Sequence, residues 1–198
     1  MLVLGIDPGL NVTGYGLVAG RAKDVALVEA GVVRPGPPEL ALERRLSTLY
    51  DGLQAVLTEF RPDALSLEKV FSHRRFPNSA LWMAHARGVA CLAADKAGVP
   101  VYSYAPASVK LAIVGNGRAT KAQVQELVRR RLGLAQRPAP SDVADALALA
   151  ITHLDALGLS TLSLEGLPAA RGERTRRRPV SEGDSPGREH VEGVRVRN

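Results

Sequence analysis

The sequence predicts an α/β domain built on a mixed five-stranded sheet, three antiparallel strands followed by parallel ones, flanked by helices. Three observations point there. Apolar runs separated by glycine-bearing turns follow one another closely in the first 34 residues, the pattern of an antiparallel meander. Beyond them, strand-length apolar runs alternate with stretches of helical periodicity, and strands separated by a helix pair in parallel. Finally, LVLGID, residues 2–7, is apolar until its last residue, as expected of a strand buried on both faces.

Each element follows from its own residues. After the first strand comes the turn PGLNVTG, then GYGLVAG and VALVEAGVVR as second and third strands. The glycines at 5, 9, 14 and 16 match neither G-x-G-x-x-G nor a P-loop and are read as turn and close-approach residues. Residues 37–60 carry Leu40, Leu42, Leu46, Leu49, Leu53, Val56 and Leu57 at helical spacing, and Arg61 and Pro62 end that helix. ALSLEKVF, residues 64–71, is a fourth strand, with Glu68 towards its end. The basic connector SHRRFPN leads to a helix over 79–98, and PVYSYAP is the fifth strand. Residues 108–119 are read as a passage through a glycine loop. Thr120 and Gln123 fit the capping box that starts the next helix, and QRPAPSD links it to a last helix from Ser141.

Composition bounds the rest. The chain has 198 residues, is 45% hydrophobic and carries a net charge of +6, which suits one domain and favours a polyanionic partner. The folded domain is expected over residues 1–158. Residues 159–198, rich in Arg, Glu, Gly, Ser and Pro, are expected to be a disordered tail. The single cysteine, Cys91, excludes an internal disulfide and suits a reducing cytoplasm. No apolar stretch reaches the ~18 residues of a membrane span, and the N-terminus does not read as a signal peptide.

The chemistry is expected at SDVADALALAITH, residues 141–153. Asp142 and Asp145 are three apart on an otherwise apolar helix and share a face. Asp142 alone would serve as an N-terminal acid that complements the helix dipole. Asp145 lies too far into the helix for that. Asp7 and Glu68 end buried strands and would lie side by side if those strands are neighbours. Singly, Asp7 fits a turn over Pro8 and Gly9, and Glu68 fits an exposed strand-end charge beside Lys69. Together the acids form a set suited to two Mg²⁺ ions about 4 Å apart. His153 falls on the same helix face and reads first as a capping or core residue at the helix end, with assistance to proton transfer as the alternative.

GIDPGLNVTGYGLV, LSLEKVF, ARGV, VGNGRATKAQV and DVADALALAITH, in that order, resemble the RuvC family of Holliday-junction resolvases over residues 1–158. The resemblance implies a ribonuclease-H-like fold and a homodimer that cuts four-way DNA junctions symmetrically with Mg²⁺, Mn²⁺ being an alternative. It implies 5'-phosphate and 3'-hydroxyl nicks, and a branch-migration complex as partner. It makes Asp7, Glu68, Asp142 and Asp145 the catalytic acids. Some members carry histidine where this chain has Asp142, and SHRRFPN departs from the segment usual at its place. The resemblance also assigns Lys110 and Lys121 to the cleaved phosphate and Phe71 to an aromatic wedge.

Further DNA contacts are expected from Arg118 in the glycine loop, and from Arg74 and Arg75, which with His73 sit between Phe71 and Phe76. Arg129, Arg130 and Arg131 read as a solvated helix surface. Ala80, Ala84 and Gly88, four apart, either pack on the chain's own sheet or meet a second copy across a two-fold axis. Three rival functions remain: an actin-like or sugar-kinase ATPase, for which the chain is too short, a non-catalytic junction-binding module, and a nuclease acting on RNA–DNA hybrids.

Overall fold

The computed structural model describes residues 1–21, 24–69, 77–164 and 191–193. Its strands are β1 (Leu2–Asp7), β2 (Thr13–Arg21), β3 (Asp24–Val33), β4 (Ala64–Glu68), β5 (Val101–Tyr104) and β6 (Val191–Gly193). Its helices are α1 (Leu42–Phe60), α2 (Pro77–Lys96), α3 (Pro106–Val114), α4 (Lys121–Arg131) and α5 (Ser141–Leu164). The sheet runs β5-β4-β1-β2-β3-β6. Strands β1 to β3 are antiparallel, and β1, β4 and β5 are parallel, as the sequence predicts.

Three features differ from expectation. Residues Pro106–Val114 form a helix rather than a loop, with proline in the first turn and Gly115 at φ 77° closing the end. The last helix continues to Leu164, past the expected boundary at 158. Val191–Gly193 pair antiparallel with β3 as a short sixth strand, where the sequence reading has five strands. The connector residues 72–76, including Arg74, Arg75 and Phe76, and the neighbouring Phe71 lie outside the described residues.

Side-chain alternation along the central strands decides which helix meets which residue. Leu4 and Ile6 of β1, Leu17 of β2, and Leu65 and Leu67 of β4 pack with α1 and α2. Residues of the opposite parity, Val3, Gly5 and Asp7 in β1 and Ser66 and Glu68 in β4, therefore face the other layer, where α5 lies with α3 and α4. That face is nearly bare at its centre. A Cβ on Gly5 would stand 1.9 Å from the Ala146 carbonyl oxygen, and one on Gly14 2.2 Å from the Asp142 carbonyl oxygen. Buried Ser66 Oγ donates to the Leu149 carbonyl at 2.8 Å and fixes α5 further along.

Gly5→Ala should therefore destabilise strongly, because the clash is backbone against backbone and no rotamer relieves it. The expected cost is about 3 kcal/mol, read as a lowered urea midpoint at unchanged slope. A midpoint equal to wild type would show that the helix can lift off the sheet without loss.

Candidate metal centre

Parallel pairing of β1 with β4 brings their C-terminal ends together. Ile6 lies opposite Leu67, and the next residues, Asp7 and Glu68, leave the sheet on the α5 side. On the other flank Asp7 is opposite Gly14 of β2. It is there that the first turn of α5 descends, since only a residue without a side chain lets Asp142 approach so closely. Asp145, one turn on, follows on the same face. All four acids predicted from the sequence thus come to one place.

Burial and the neighbouring charges both act on these acids. Burial, then Asp145, Glu68 and Asp142 in turn, push the Asp7 carboxyl up to about 7. Burial first, and Asp145 second, raise Glu68. Asp145 is also raised by burial, although Lys121 opposes the shift. Lys121 Nζ stands 2.5 Å from Asp145 Oδ2. Burial alone would lower the lysine's pKa, but the hydrogen bond to Asp145 and the surrounding acids raise it. Lys110 on α3 lowers both Glu68 and Asp145 and lines a cavity of about 270 Å³ with them and Lys121.

The donor set fits a hard divalent cation. Four carboxylates face two lysines, which leaves about two positive charges to be supplied, and all the donors are oxygens. Among the described residues no three acids are already spaced as a ligand cage. The Lys121 ammonium is paired with Asp145 and supplies one of the positive charges this cluster holds. The arrangement is that of a centre balanced by lysine.

Other predicted residues have other places. Arg118 is exposed between α3 and α4, where its backbone N–H donates to Asn116 Oδ1 at 2.9 Å. The capping box is present, with Gln123 N–H donating to Thr120 Oγ1 and Thr120 N–H to Gln123 Oε1, and it sets Lys121 as the first helical residue of α4. Arg129, Arg130 and Arg137 all bond Glu126, while Arg131 pairs with Asp155, so these arginines belong to the domain's own ion pairs. His153 is buried at 1% exposure. Its Nδ1 is 2.7 Å from the Tyr104 hydroxyl, and its ring lies 4.2 Å from that of Tyr102. It is a core residue packed on β5.

Sequence reasoning missed Arg45. This residue of α1 is 5% exposed, and its guanidinium donates to the Leu10 carbonyl at 2.6 Å and to Asn11 Oδ1 at 3.1 Å. It thereby ties down the turn that follows Asp7. Thr13 closes the same turn, donating to the Gly9 carbonyl at 2.7 Å and accepting from its N–H. An arginine between Leu42 and Leu49 at helical spacing was the available signal.

A family model described as crossover junction endodeoxyribonuclease RuvC matches residues 3–153. A protein of that description from Syntrophomonas wolfei is 44% identical over 174 residues, covering 88% of this chain and 99% of its own. One from Anaeromyxobacter dehalogenans is 50% identical over 154 residues, covering 78% and 80%. The structure of T. thermophilus RuvC in complex with Holliday junction substrate superposes with a TM-score of 0.76 at 40% identity, covering 81% of this chain and 97% of that one. The fold is thus the ribonuclease-H-like fold of those structures. No helix among the described residues is long and apolar enough to cross a membrane.

The raised Asp7 pKa fixes a pH dependence. Because the folded state holds this proton more tightly than the unfolded chain, its contribution is fully present below about pH 4 and is lost as pH rises through about 7. The rise from 3.8 to about 7 corresponds to about 4 kcal/mol. In EDTA, Asp7→Asn should match wild type below about pH 4 and melt several degrees higher at pH 8. Parallel melting curves for the two proteins across this range would contradict the assignment.

Proposed function

The chain belongs to the RuvC family of crossover junction endodeoxyribonucleases, and we propose that it resolves four-way DNA junctions with Asp7, Glu68, Asp142 and Asp145 as catalytic metal ligands. The observation that carries this reading is the convergence of four mutually repelling carboxylates on one buried spot. A binding module gains nothing from such an arrangement, which raises carboxylate pKa values at a cost in stability. The junction bound to the 40% identical relative supports the substrate.

Two Mg²⁺ ions, or Mn²⁺, would supply an activated water and charge stabilisation at the departing oxygen. Asp7, Glu68, Asp142 and Asp145 would hold such ions, with Asp7 on the strand between β4, which carries Glu68, and β2, where Asp142 approaches. Lys121 has a second task once Asp145 no longer needs its charge: with Lys110 it can neutralise the phosphate being cut. Hydrolysis adds the water oxygen to phosphorus and releases the 3'-oxygen with a proton, leaving a 5'-phosphate and a 3'-hydroxyl that a ligase can rejoin.

Symmetric cutting requires two such centres, and we assign the dimer surface to α2. The helix buries Ala86, Ala90, Ala93 and Ala94 against the chain's own core, which leaves Ala84 and Gly88 facing outwards with Leu81 and Leu92, themselves 59% and 50% exposed. Nothing lies within 4 Å of a Cβ at Gly88. A small-residue stripe edged by leucines suits an isologous contact with a second copy. A branch-migration complex and a cytoplasmic location follow from the family alone.

Cleavage of a synthetic mobile four-way junction, with an RNA–DNA hybrid duplex as rival substrate and EDTA as control, tests the reading. Junction cutting abolished by EDTA is expected; preference for the hybrid would overturn it. Asp7→Asn should bind the junction as wild type does yet cut at below about a hundredth of its rate, since even outer-shell changes at metal sites cost 10–100-fold. Gly88→Arg should convert dimer to monomer in light scattering at unchanged helicity.

A further inference from the structure

The acids lie between two cavities of different character. Glu68 and Asp145 border the smaller, about 270 Å³, together with Lys110 and Lys121. Asp7 and Asp142 border the larger, about 690 Å³, whose walls include Leu10 and Val12 of the β1–β2 turn, Leu40 ahead of α1, and Trp82 and Met83 of α2. A polynucleotide cut at the acids extends in both directions from the cut phosphate, so each cavity receives one neighbour of that phosphate.

The lysine side has the chemistry of a phosphate site. Among the described residues, the other side does not. Its cationic residue, Arg45, is buried, and its terminal nitrogen is committed to Leu10 and Asn11. Apart from the acids and Asn11, the described wall is apolar and carries one indole, 46% exposed, whose ring neighbour is His85 at a centroid distance of 6.1 Å. Tryptophan is a costly residue to leave in water. Here it stands at the edge of a cavity in the ~300–1,000 Å³ range of small-ligand pockets, continuous with the metal centre. A nucleobase, with its two apolar π faces, matches such a wall, and stacking on an aromatic ring is the usual way an unpaired base is held.

We propose that Trp82 is a base-binding residue: its indole stacks on an unpaired base of the nucleotide adjoining the cut phosphate on the Asp7–Asp142 side. The proposal rests on the junction-cleaving reading above. It divides recognition at the centre, with phosphate held by the lysines on one side and base held by the indole on the other. A strand whose flanking base remains paired cannot enter the larger cavity, so the indole contributes to selecting an opened junction over intact duplex.

Trp82 is the single tryptophan of the chain, which gives a readout independent of cutting. Wild-type protein in EDTA is titrated with a four-way junction carrying 2-aminopurine in turn at each nucleotide flanking the cut, while the anisotropy of a labelled arm reports binding. Expected are quenching of the Trp82 emission by about half, and at least twofold quenching of 2-aminopurine at one flanking position only. The second effect should persist in Trp82→Phe and vanish in Trp82→Ala. With Mg²⁺, Trp82→Ala should cleave about tenfold more slowly, as loss of one base stack predicts, and Trp82→Phe within about threefold of wild type. Junction binding without change in either emission overturns the proposal and leaves the junction-cleaving reading intact. So does an indole emission that follows protein concentration rather than DNA, which would place Trp82 in the contact between copies. No binding at all overturns both.

Discussion

The closeness of α5 to the sheet is the constraint on which the rest depends. Helix backbone rests directly on strand backbone at Gly5 and Gly14, where any side chain would collide with a carbonyl. A helix held off the sheet by ordinary side chains would stand several ångströms higher, consistent with the ~10 Å separation of packed layers. Asp142 and Asp145 would then be too far from Asp7 and Glu68 to share a cation. Glycine weakens a strand interior, and here that cost is offset by the packing of Leu147, Ile151 and Ala150 into the layer they reach.

Close approach has an electrostatic consequence. Carboxylates brought this near, partly out of water, resist ionising together, and Asp7, at the middle of the set, feels this most. The domain tolerates the strain through Lys121, whose place at the start of α4 is fixed by the Thr120–Gln123 capping box. A cation in the first helical turn opposes the helix dipole, so the lysine's position is set by what it faces rather than by the helix that carries it. Lys121 thus supplies charge to the cluster through Asp145 from a side chain that is 55% exposed.

Much of this was legible in the sequence because it depends on local rules. An acid at the end of an unbroken apolar run, and two acids three apart on an apolar helix, give their parity and their face before any coordinates exist. The missed features are those whose signal is short or tertiary. Helix α3 has only nine residues, and two buried positions, Val109 and Ile113, are too few to establish a period; Pro106 and Gly115 were its readable markers. Strand β6 is three residues long and pairs on the outer edge of β3. Arg45 was concealed because a charged residue on an apolar face is meaningful only once the turn it reaches is known. Trp82 was passed over within a helix whose alanines drew attention to packing.

Helix α2 links these levels. Its alanine face is fixed to the core, its opposite stripe of Leu81, Ala84, Gly88 and Leu92 is the surface proposed for the second copy, and between them Trp82 and Met83 reach the wall of the cavity beside Asp7. Because these three faces belong to one rigid rod, a dimer formed through the stripe fixes the separation of the two centres and also the position of each indole. A small rotation of α2 that improved the dimer contact would move Trp82 relative to Asp7 by a similar angle. On the proposed dimer, the bulk tolerated on the stripe would be limited by the cavity as well as by the partner, which would favour alanine and glycine there even where larger side chains would bury more surface.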